Sequence, residues 1–247
     1  MSELGEYGDG RTFQLPQGWR KARAEVVEMA LRQTMDALAA PRAAERLTAY
    51  YDPQGNYSGL LFAEVGENQV ASVTPADLWA VATLSIEVNS RQARMIFGTA
   101  SARIGSLLSV LPHDAALTDL DHTPLGADGT LNRMWDLYET FKTLLATEAK
   151  RSEHWVFAAK LCARKRTALF PVRDSLVRDY LSGGRRHQTG AGWPGDFSVD
   201  LQLFAHLMTH PEVLDGLQEL EREVPFPVDR HRLRLLDAVL WTRAKFG

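Results

Sequence analysis

The residues most able to do chemistry lie between positions 160 and 181, in the segment KLCARKRTALFPVRDSLVRDYL. Six basic side chains flank Asp174, the carboxylate that follows a Phe-Pro break. They are Lys160, Arg164, Lys165, Arg166, Arg173 and Arg178. Clustered lysine and arginine attract a polyanion, because each cation can neutralise one phosphate. The segment therefore predicts a carboxylate inside a positive field where a polyanion such as DNA would dock.

The same residues have a structural interpretation. Lysine and arginine late in a helix complement the negative end of the helix dipole. Asp174 stands where an N-cap would stand for the next helix, SLVRDYL, since Pro171 disfavours helix in the residue before it. Both interpretations remain open from the sequence alone.

A second basic segment follows in the loop SGGRRHQTGAGWPGDF, where Arg185 and Arg186 lie among glycines. Such a loop suits mobile contacts with phosphate, so both arginines are predicted DNA-binding residues. An ordinary solvated loop is the alternative.

The segment from about Leu145 to Leu181 resembles the helix-hairpin-helix DNA glycosylase fold. In that family a hairpin contacts the DNA backbone, and an aspartate shortly after it stabilises an oxocarbenium-like sugar and helps water to attack. The resemblance matches Asp174 to the aspartate and residues 158–166 to the second hairpin helix. The lysine position of bifunctional members falls near Val156. The resemblance therefore implies a DNA-binding protein that is either a monofunctional base-excising N-glycosylase with catalytic Asp174 or a relative that has lost the chemistry.

A second resemblance extends over most of the chain and concerns a bacterial family of unknown function. It rests on three patterns: YYDPxGxY at 50–57, ARKRxxLxPVxDS at 163–175 and LDxVLW at 236–241. This likeness implies no activity.

The elements that must position these residues are mainly helical. Apolar residues recur at three- and four-residue spacing from Trp19 onward, which predicts a multi-helix, glycosylase-like bundle. Residues 1–18 are predicted to form a flexible arm, and 19–247 a helical domain with a sub-boundary near 128. A small β-hairpin is predicted near the N-terminus, from LLFAEV and QVASV around Gly66. A helix is predicted to start at Pro75 with Thr74 as its cap.

Composition excludes several classes of function. The formal charge of −3 gives no overall attraction to nucleic acid, so any binding must be local. Cys162 is the only cysteine, which excludes intrachain disulfides and cysteine-rich metal sites and favours a reducing cytoplasm. No export signal, membrane span, phosphate loop, dinucleotide fingerprint or serine elbow is present. We therefore expect a cytoplasmic protein without a cofactor.

Other candidates are weaker. His206 and His210 have the spacing of a metal pair, but a third ligand is not evident, so no metal site is predicted. Tyr50 and Tyr51 are interpreted as core rather than as a platform for stacked bases. The rival hypothesis is a non-enzymatic helical scaffold or partner-binding protein, whose basic stretch pairs with acidic residues elsewhere in the same chain. The acidic helix at 211–224 is available for this pairing.

Overall fold

The computed structural model describes residues 3–39, 41–145, 154–184 and 196–247. Within these ranges the chain forms one antiparallel hairpin and twelve α-helices, which confirms the predicted mainly helical class. The elements are β1 (Leu4–Glu6), β2 (Thr12–Gln14), α1 (Ala24–Ala39), α2 (Ala43–Tyr51), α3 (Leu61–Glu64), α4 (Pro75–Thr83), α5 (Ser90–Arg94), α6 (Ser101–Val110), α7 (Gly126–Leu145), α8 (His154–Lys165), α9 (Ser175–Leu181), α10 (Phe197–Leu207), α11 (Pro211–Glu223) and α12 (Arg232–Phe246).

The small hairpin near the N-terminus is confirmed, but it does not lie where the sequence placed it. β1 and β2 pair with Gly5 opposite Phe13, in the segment that was expected to be a loose arm. Tyr7, Phe13 and Leu15 are buried in the core. The Tyr7 hydroxyl oxygen accepts a hydrogen bond from the backbone N–H of Leu120 at 3.0 Å, which ties the hairpin to the body of the protein.

The hairpin predicted around Gly66 is wrong. Residues 61–64 form the short helix α3, and no strand is assigned from there to α4. The carbonyl groups of this segment are bonded by side chains of α8 rather than by a neighbouring strand, as described below. Alternating apolar residues around a glycine could not reveal those distant donors.

The predicted caps are confirmed. Thr74 caps α4, and its capping box with Asp77 is complete. Asp174 caps α9, because its Oδ1 accepts the backbone N–H of Leu176 at 2.9 Å. Side-chain oxygens at these positions satisfy helix N–H groups that would otherwise lack a partner.

Helix α8 is the central element. It packs against α4 and α7, and it is buried on nearly every face. Helix α12 packs against α2 and α9. Helix α7 continues through residue 128, where a sub-boundary was predicted. In the described part of the chain, no helix is both long enough and apolar enough to span a bilayer.

Candidate active site

Three of the basic residues predicted to bind phosphate form a buried cation cluster, which we define as Arg164, Lys165 and Arg166. Their side chains are at most 2% exposed. The carboxylate among them is Asp77 of α4, which is also fully buried. Its Oδ1 lies 3.0 Å from Arg164 Nε and its Oδ2 lies 3.0 Å from Lys165 Nζ.

Backbone carbonyls and the side-chain amide of Asn68 accept from the remaining donors of Arg164 and Lys165. Arg164 donates to the carbonyls of Phe62, Ala63, Val65 and Gly66. Lys165 Nζ donates to Asn68 Oδ1 at 2.6 Å and to the Gln69 carbonyl at 2.7 Å. A lysine has three donors, and all three are used here.

Arg166 completes the cluster from the other side. It donates to the carbonyls of Val70 and Leu111, both at 3.0 Å, and to that of Leu108. The buried cation cluster therefore fastens residues 62–70 to α8 and α6. This placement favours a structural role for the three residues over contact with phosphate.

Arg173 is also buried. Its Nε lies 2.7 Å from Asp200 Oδ2, and its guanidinium carbon lies 5.2–5.3 Å from the ring centroids of Tyr138, Trp155 and Phe197. Such stacking and pairing are typical of a buried arginine. Tyr138 thus belongs to the core.

Arg178 is partly exposed; it pairs with Asp179 at 3.0 Å and lies over Trp155. Arg185 and Arg186 lie outside the described residues. The buried cations at 160–173 contact Asp77, Asp174 and Asp200. Pairing with acidic residues of the same chain is what the rival hypothesis expects, although none of these three lies on the acidic helix α11.

Lys160 differs from the other cations of α8, because it meets the predicted catalytic residue. Its Nζ lies 3.2 Å from Asp174 Oδ2 and donates to the Leu84 carbonyl at 3.0 Å. Burial lowers the pKa of Lys160, and the Asp174 charge opposes that shift. Asp174 itself is 13% exposed. The structure thus brings Lys160 and Asp174 together as an ion pair.

This ion pair lies on the wall of a cavity of about 370 Å³, which we call the α12 pocket. Small-molecule sites commonly have volumes of about 300–1,000 Å³. Helix α12, the start of α9, the middle of α8 and the segments after α2 and α4 form its walls. The polar residues that line it are Tyr50, Asn56, Tyr57, Ser58, Thr83, Ser85, Lys160, Asp174, Ser175, Asp229, Arg234, Asp237, Trp241 and Lys245.

One wall of the α12 pocket is aromatic. The rings of Tyr50 and Tyr57 are stacked, with centroids 6.3 Å apart and an interplanar angle of 20°. Trp241 lies 6.0 Å from Tyr50 and 5.9 Å from Tyr57. Tyr57 remains 37% exposed, so a planar ligand can reach this wall. Tyr50 was predicted to be core, and the structure gives it a face on the pocket as well.

Two further carboxyl groups line the pocket near α12. Asp229 is half-buried, and its Oδ2 accepts the Tyr51 hydroxyl at 2.9 Å. Asp237 is buried, and its Oδ2 lies 2.7 Å from Arg234 Nη2. Burial raises the pKa of each carboxyl to about 6, although Arg234 acts in the opposite direction on both. Carboxyl groups that titrate near neutrality are typical of sites that move protons.

The pocket also contains strained backbone. Ser85 has φ of +62°, which is the only positive value at a non-glycine residue in the described chain. Its neighbour Leu84 provides the carbonyl that accepts from Lys160. A conformation of this kind costs about 1–3 kcal/mol and persists where the surrounding structure enforces it. Here it accompanies the placement of the Lys160 ammonium.

Asp229, Arg234 and Asp237 were missed by reasoning from the sequence, and so was the aromatic wall. A signal existed, because each of the three sequence patterns contributes to this pocket. YYDPxGxY provides Tyr50 and Tyr57, ARKRxxLxPVxDS provides Asp174, and LDxVLW provides Asp237 and Trp241. Asp229 lies in none of the patterns, and only the fold reveals it.

Metal binding finds no support in the described residues. No group of three or more His, Cys, Asp or Glu side chains is arranged to hold a metal ion in that part of the chain. The rings of His206 and His210 lie 5.9 Å apart, away from the α12 pocket. Burial raises the pKa of the Cys162 thiol, which makes a thiolate unfavourable.

Comparison with known proteins gives a family but no activity. No curated protein matches the chain, and no solved structure matches it. One family model matches residues 43–244, which include every residue that lines the α12 pocket except Lys245, and its description is a family of unknown function, DUF6308. The chain therefore belongs to the DUF6308 family.

Proposed function

We propose that this protein hydrolyses the N-glycosidic bond of a nucleobase-bearing substrate, and that the base enters the α12 pocket. The observation that carries the proposal is the meeting of Asp174 and Lys160 with an aromatic wall in one cavity of about 370 Å³. A planar base can stack on Tyr50, Tyr57 or Trp241, since every base has a π-face.

Asp174 is the proposed catalytic residue. Its Oδ1 is held by the N–H of Leu176 and its Oδ2 by Lys160, so the carboxylate is fixed in position. A preorganised negative charge stabilises the positive charge that develops on the sugar as the bond to the base breaks. The same carboxylate can orient the water that attacks the sugar carbon.

Lys160 has a supporting part. Its ammonium meets two acceptors in the described chain, Leu84 O and Asp174 Oδ2, whereas a lysine has three donors. One N–H thus remains for a hydroxyl group of the sugar or for a phosphate.

The substrate is either a nucleotide extruded from DNA or a free nucleoside, because both present the same glycosidic bond. The resemblance of residues 145–181 to glycosylases favours DNA, in which the base must leave the stack before chemistry. Phosphate contact would then fall to Lys245, which is exposed at the pocket, to the partly exposed Arg178, and to the predicted Arg185 and Arg186, which lie outside the described residues.

The test measures base release by chromatography from two sets of substrates. One set contains duplex and single-stranded oligonucleotides, each with one damaged or modified base, and the other contains free nucleosides. We expect the wild type to release base from at least one substrate. Asp174→Asn, which retains a capping oxygen, should react at least about a hundredfold more slowly, the lower end for a lost acid-base group.

Asp196→Asn is the matched control. Asp196 caps α10, because its Oδ1 accepts the backbone N–H of Ser198 at 2.9 Å, the same distance as in the Asp174 cap. Asp196 does not line the α12 pocket. This variant should release base at the wild-type rate. Absence of wild-type release from both sets, or an Asp174→Asn variant as fast as Asp196→Asn, contradicts the proposal and favours the non-enzymatic scaffold.

A further inference from the structure

Asp229 is a second carboxyl group that the α12 pocket shares with Asp174. It lies just before α12, in the segment that follows α11, and it is half-buried. Its Oδ2 accepts the hydroxyl of Tyr51 at 2.9 Å. One face of the carboxyl is thus fixed by α2, while the residue lines the cavity.

The two carboxyl groups have contrasting surroundings. Asp174 accepts from the ammonium of Lys160 and from a backbone N–H, and both donors stabilise negative charge. Asp229 accepts from a neutral phenol and is removed from water, and burial raises its pKa to about 6. The titratable and charged groups around Asp229 are Tyr50 and Tyr51 on α2, Glu64 on α3, and Arg234 and Asp237 on α12.

We propose that Asp229 is the general acid that protonates the leaving base, while Asp174 acts at the sugar. This inference rests on the proposed function. One carboxyl group paired with an ammonium and a second that can hold and release a proton form the usual division of labour in glycoside hydrolysis.

The step balances without a co-reactant beyond water. The bond between the sugar carbon and the base nitrogen breaks, and its electron pair goes to the base. The proton of the Asp229 carboxyl passes to a ring nitrogen of the base. Water then bonds to the sugar carbon and loses a proton to Asp174 or to solvent. A proton from solvent restores Asp229 for the next turnover.

Asp237 has a similar pKa but is unsuited to this role. It is 6% exposed, and its Oδ2 is bonded both to Arg234 and to the backbone N–H of Val172 at 3.0 Å. These bonds join α12 to the segment before α9. Asp237 therefore holds the pocket together, whereas the half-buried Asp229 can meet a ligand.

The experiment measures kcat/KM against pH for the wild type, Asp229→Asn and Tyr51→Phe, on a substrate that the wild type hydrolyses. Wild-type kcat/KM should fall as pH rises through about 6, because the acid form of Asp229 is lost. At pH 5, Asp229→Asn should be at least about a hundredfold slower and should lack this fall.

The Tyr51→Phe variant shows whether Asp229 or Asp237 sets the pH dependence of kcat/KM. The Tyr51 hydroxyl lowers the pKa of Asp229, so its removal should move the fall in kcat/KM to higher pH. A merely structural role for Asp229 would leave the midpoint of the pH profile unmoved in Tyr51→Phe. An unmoved midpoint, or an Asp229→Asn profile that keeps the fall, overturns the inference while the proposed function stands.

A binding measurement keeps the two proposals distinguishable. Calorimetry with adenine, guanine, cytosine and thymine at pH 5 and pH 8 should show at least one base that binds about tenfold more tightly at pH 5, and Asp229→Asn should abolish the difference. That result without hydrolysis would support proton donation by Asp229 and contradict only the hydrolase. Binding that is equal at both pH values, or no binding and no hydrolysis, would overturn the inference.

Discussion

Lys160 and Arg164 lie one turn apart on α8, yet they belong to two different regions. Arg164 is part of the buried cation cluster, where Asp77 and four carbonyls occupy its donors. Lys160 faces the α12 pocket, where it pairs with Asp174 and retains a donor. A run of basic residues that looks uniform in the sequence is thus divided by the fold into a structural part and a candidate catalytic part.

The difference follows from where the acceptors come from. The cation cluster binds carbonyls within residues 62–70, which comprise the end of the short helix α3 and the irregular residues that follow it. A buried carbonyl without a partner costs free energy, so these cations stabilise an irregular segment. The α12 pocket leaves polar groups available instead, since its walls enclose a cavity.

The largest expected effect concerns the buried cation cluster. Asp77→Ala removes the one carboxylate that Arg164 and Lys165 share, and it should lower the free energy of unfolding by about 3–5 kcal/mol, the usual loss when one partner of a buried pair is removed. Urea unfolding followed by circular dichroism measures this loss.

Thr74→Ala is the control for the helix cap. It removes the other half of the same capping box and should cost only about 1 kcal/mol. If Asp77→Ala were no more destabilising than Thr74→Ala, the pairing of Asp77 with the cation cluster would add nothing to the free energy of unfolding beyond the helix cap.

The second effect concerns the α12 pocket and depends on pH. Burial raises the pKa of Asp237 from 3.8 to about 6, so its contribution to stability is fully present below pH 3.8 and is lost as pH rises through about 6. A shift of about two units corresponds to roughly 3 kcal/mol.

Comparison with Asp237→Asn isolates this contribution. The stability difference between the wild type and the variant should move by roughly 2 kcal/mol against the wild type between pH 4 and pH 7, since part of the effect is already lost at pH 4. Unfolding free energies measured at both pH values test it, and a difference that is constant with pH would contradict the burial of this carboxyl.

The smallest expected effect concerns DNA. Lys245 is exposed at the α12 pocket, where its ammonium can contact a phosphate, whereas the Lys165 ammonium is buried. If the substrate is DNA, Lys245→Ala should reduce the slope of log affinity against log salt by about 0.9, the value for one phosphate contact with B-DNA. Fluorescence anisotropy over a salt series measures the slope, and an unchanged slope would remove Lys245 from the DNA surface.

The sequence predicts the helices well, because their signals are local. Thr74 and Asp174 were identified as caps from residue type and position, and both accept the expected N–H groups. The hairpin was predicted in the wrong place because the contacts that decide the structure of residues 62–70 are not local. The donors that hold residues 62–70 come from α8, about 100 positions away along the chain.

The candidate site was only partly predictable. Asp174 could be identified because a carboxylate among cations is unusual, and Lys160 came with it. The sequence could not show that the fold separates this pair from Arg164, Lys165 and Arg166, because burial depends on what packs against each face of α8. No sequence pattern marked Asp229 as a site residue, because only folding brings Tyr51 and Arg234 close to it.

The most direct test of this account compares base release and stability in two variants, Asp77→Asn and Asp174→Asn, with the wild type. The account predicts that Asp174→Asn loses at least about a hundredfold in the rate of base release per folded molecule. Asp77→Asn should be the less stable of the two but should release base at a normal rate per folded molecule. Normal base release by Asp174→Asn, with the rate lost in folded Asp77→Asn instead, would contradict the assignment of chemistry to the α12 pocket.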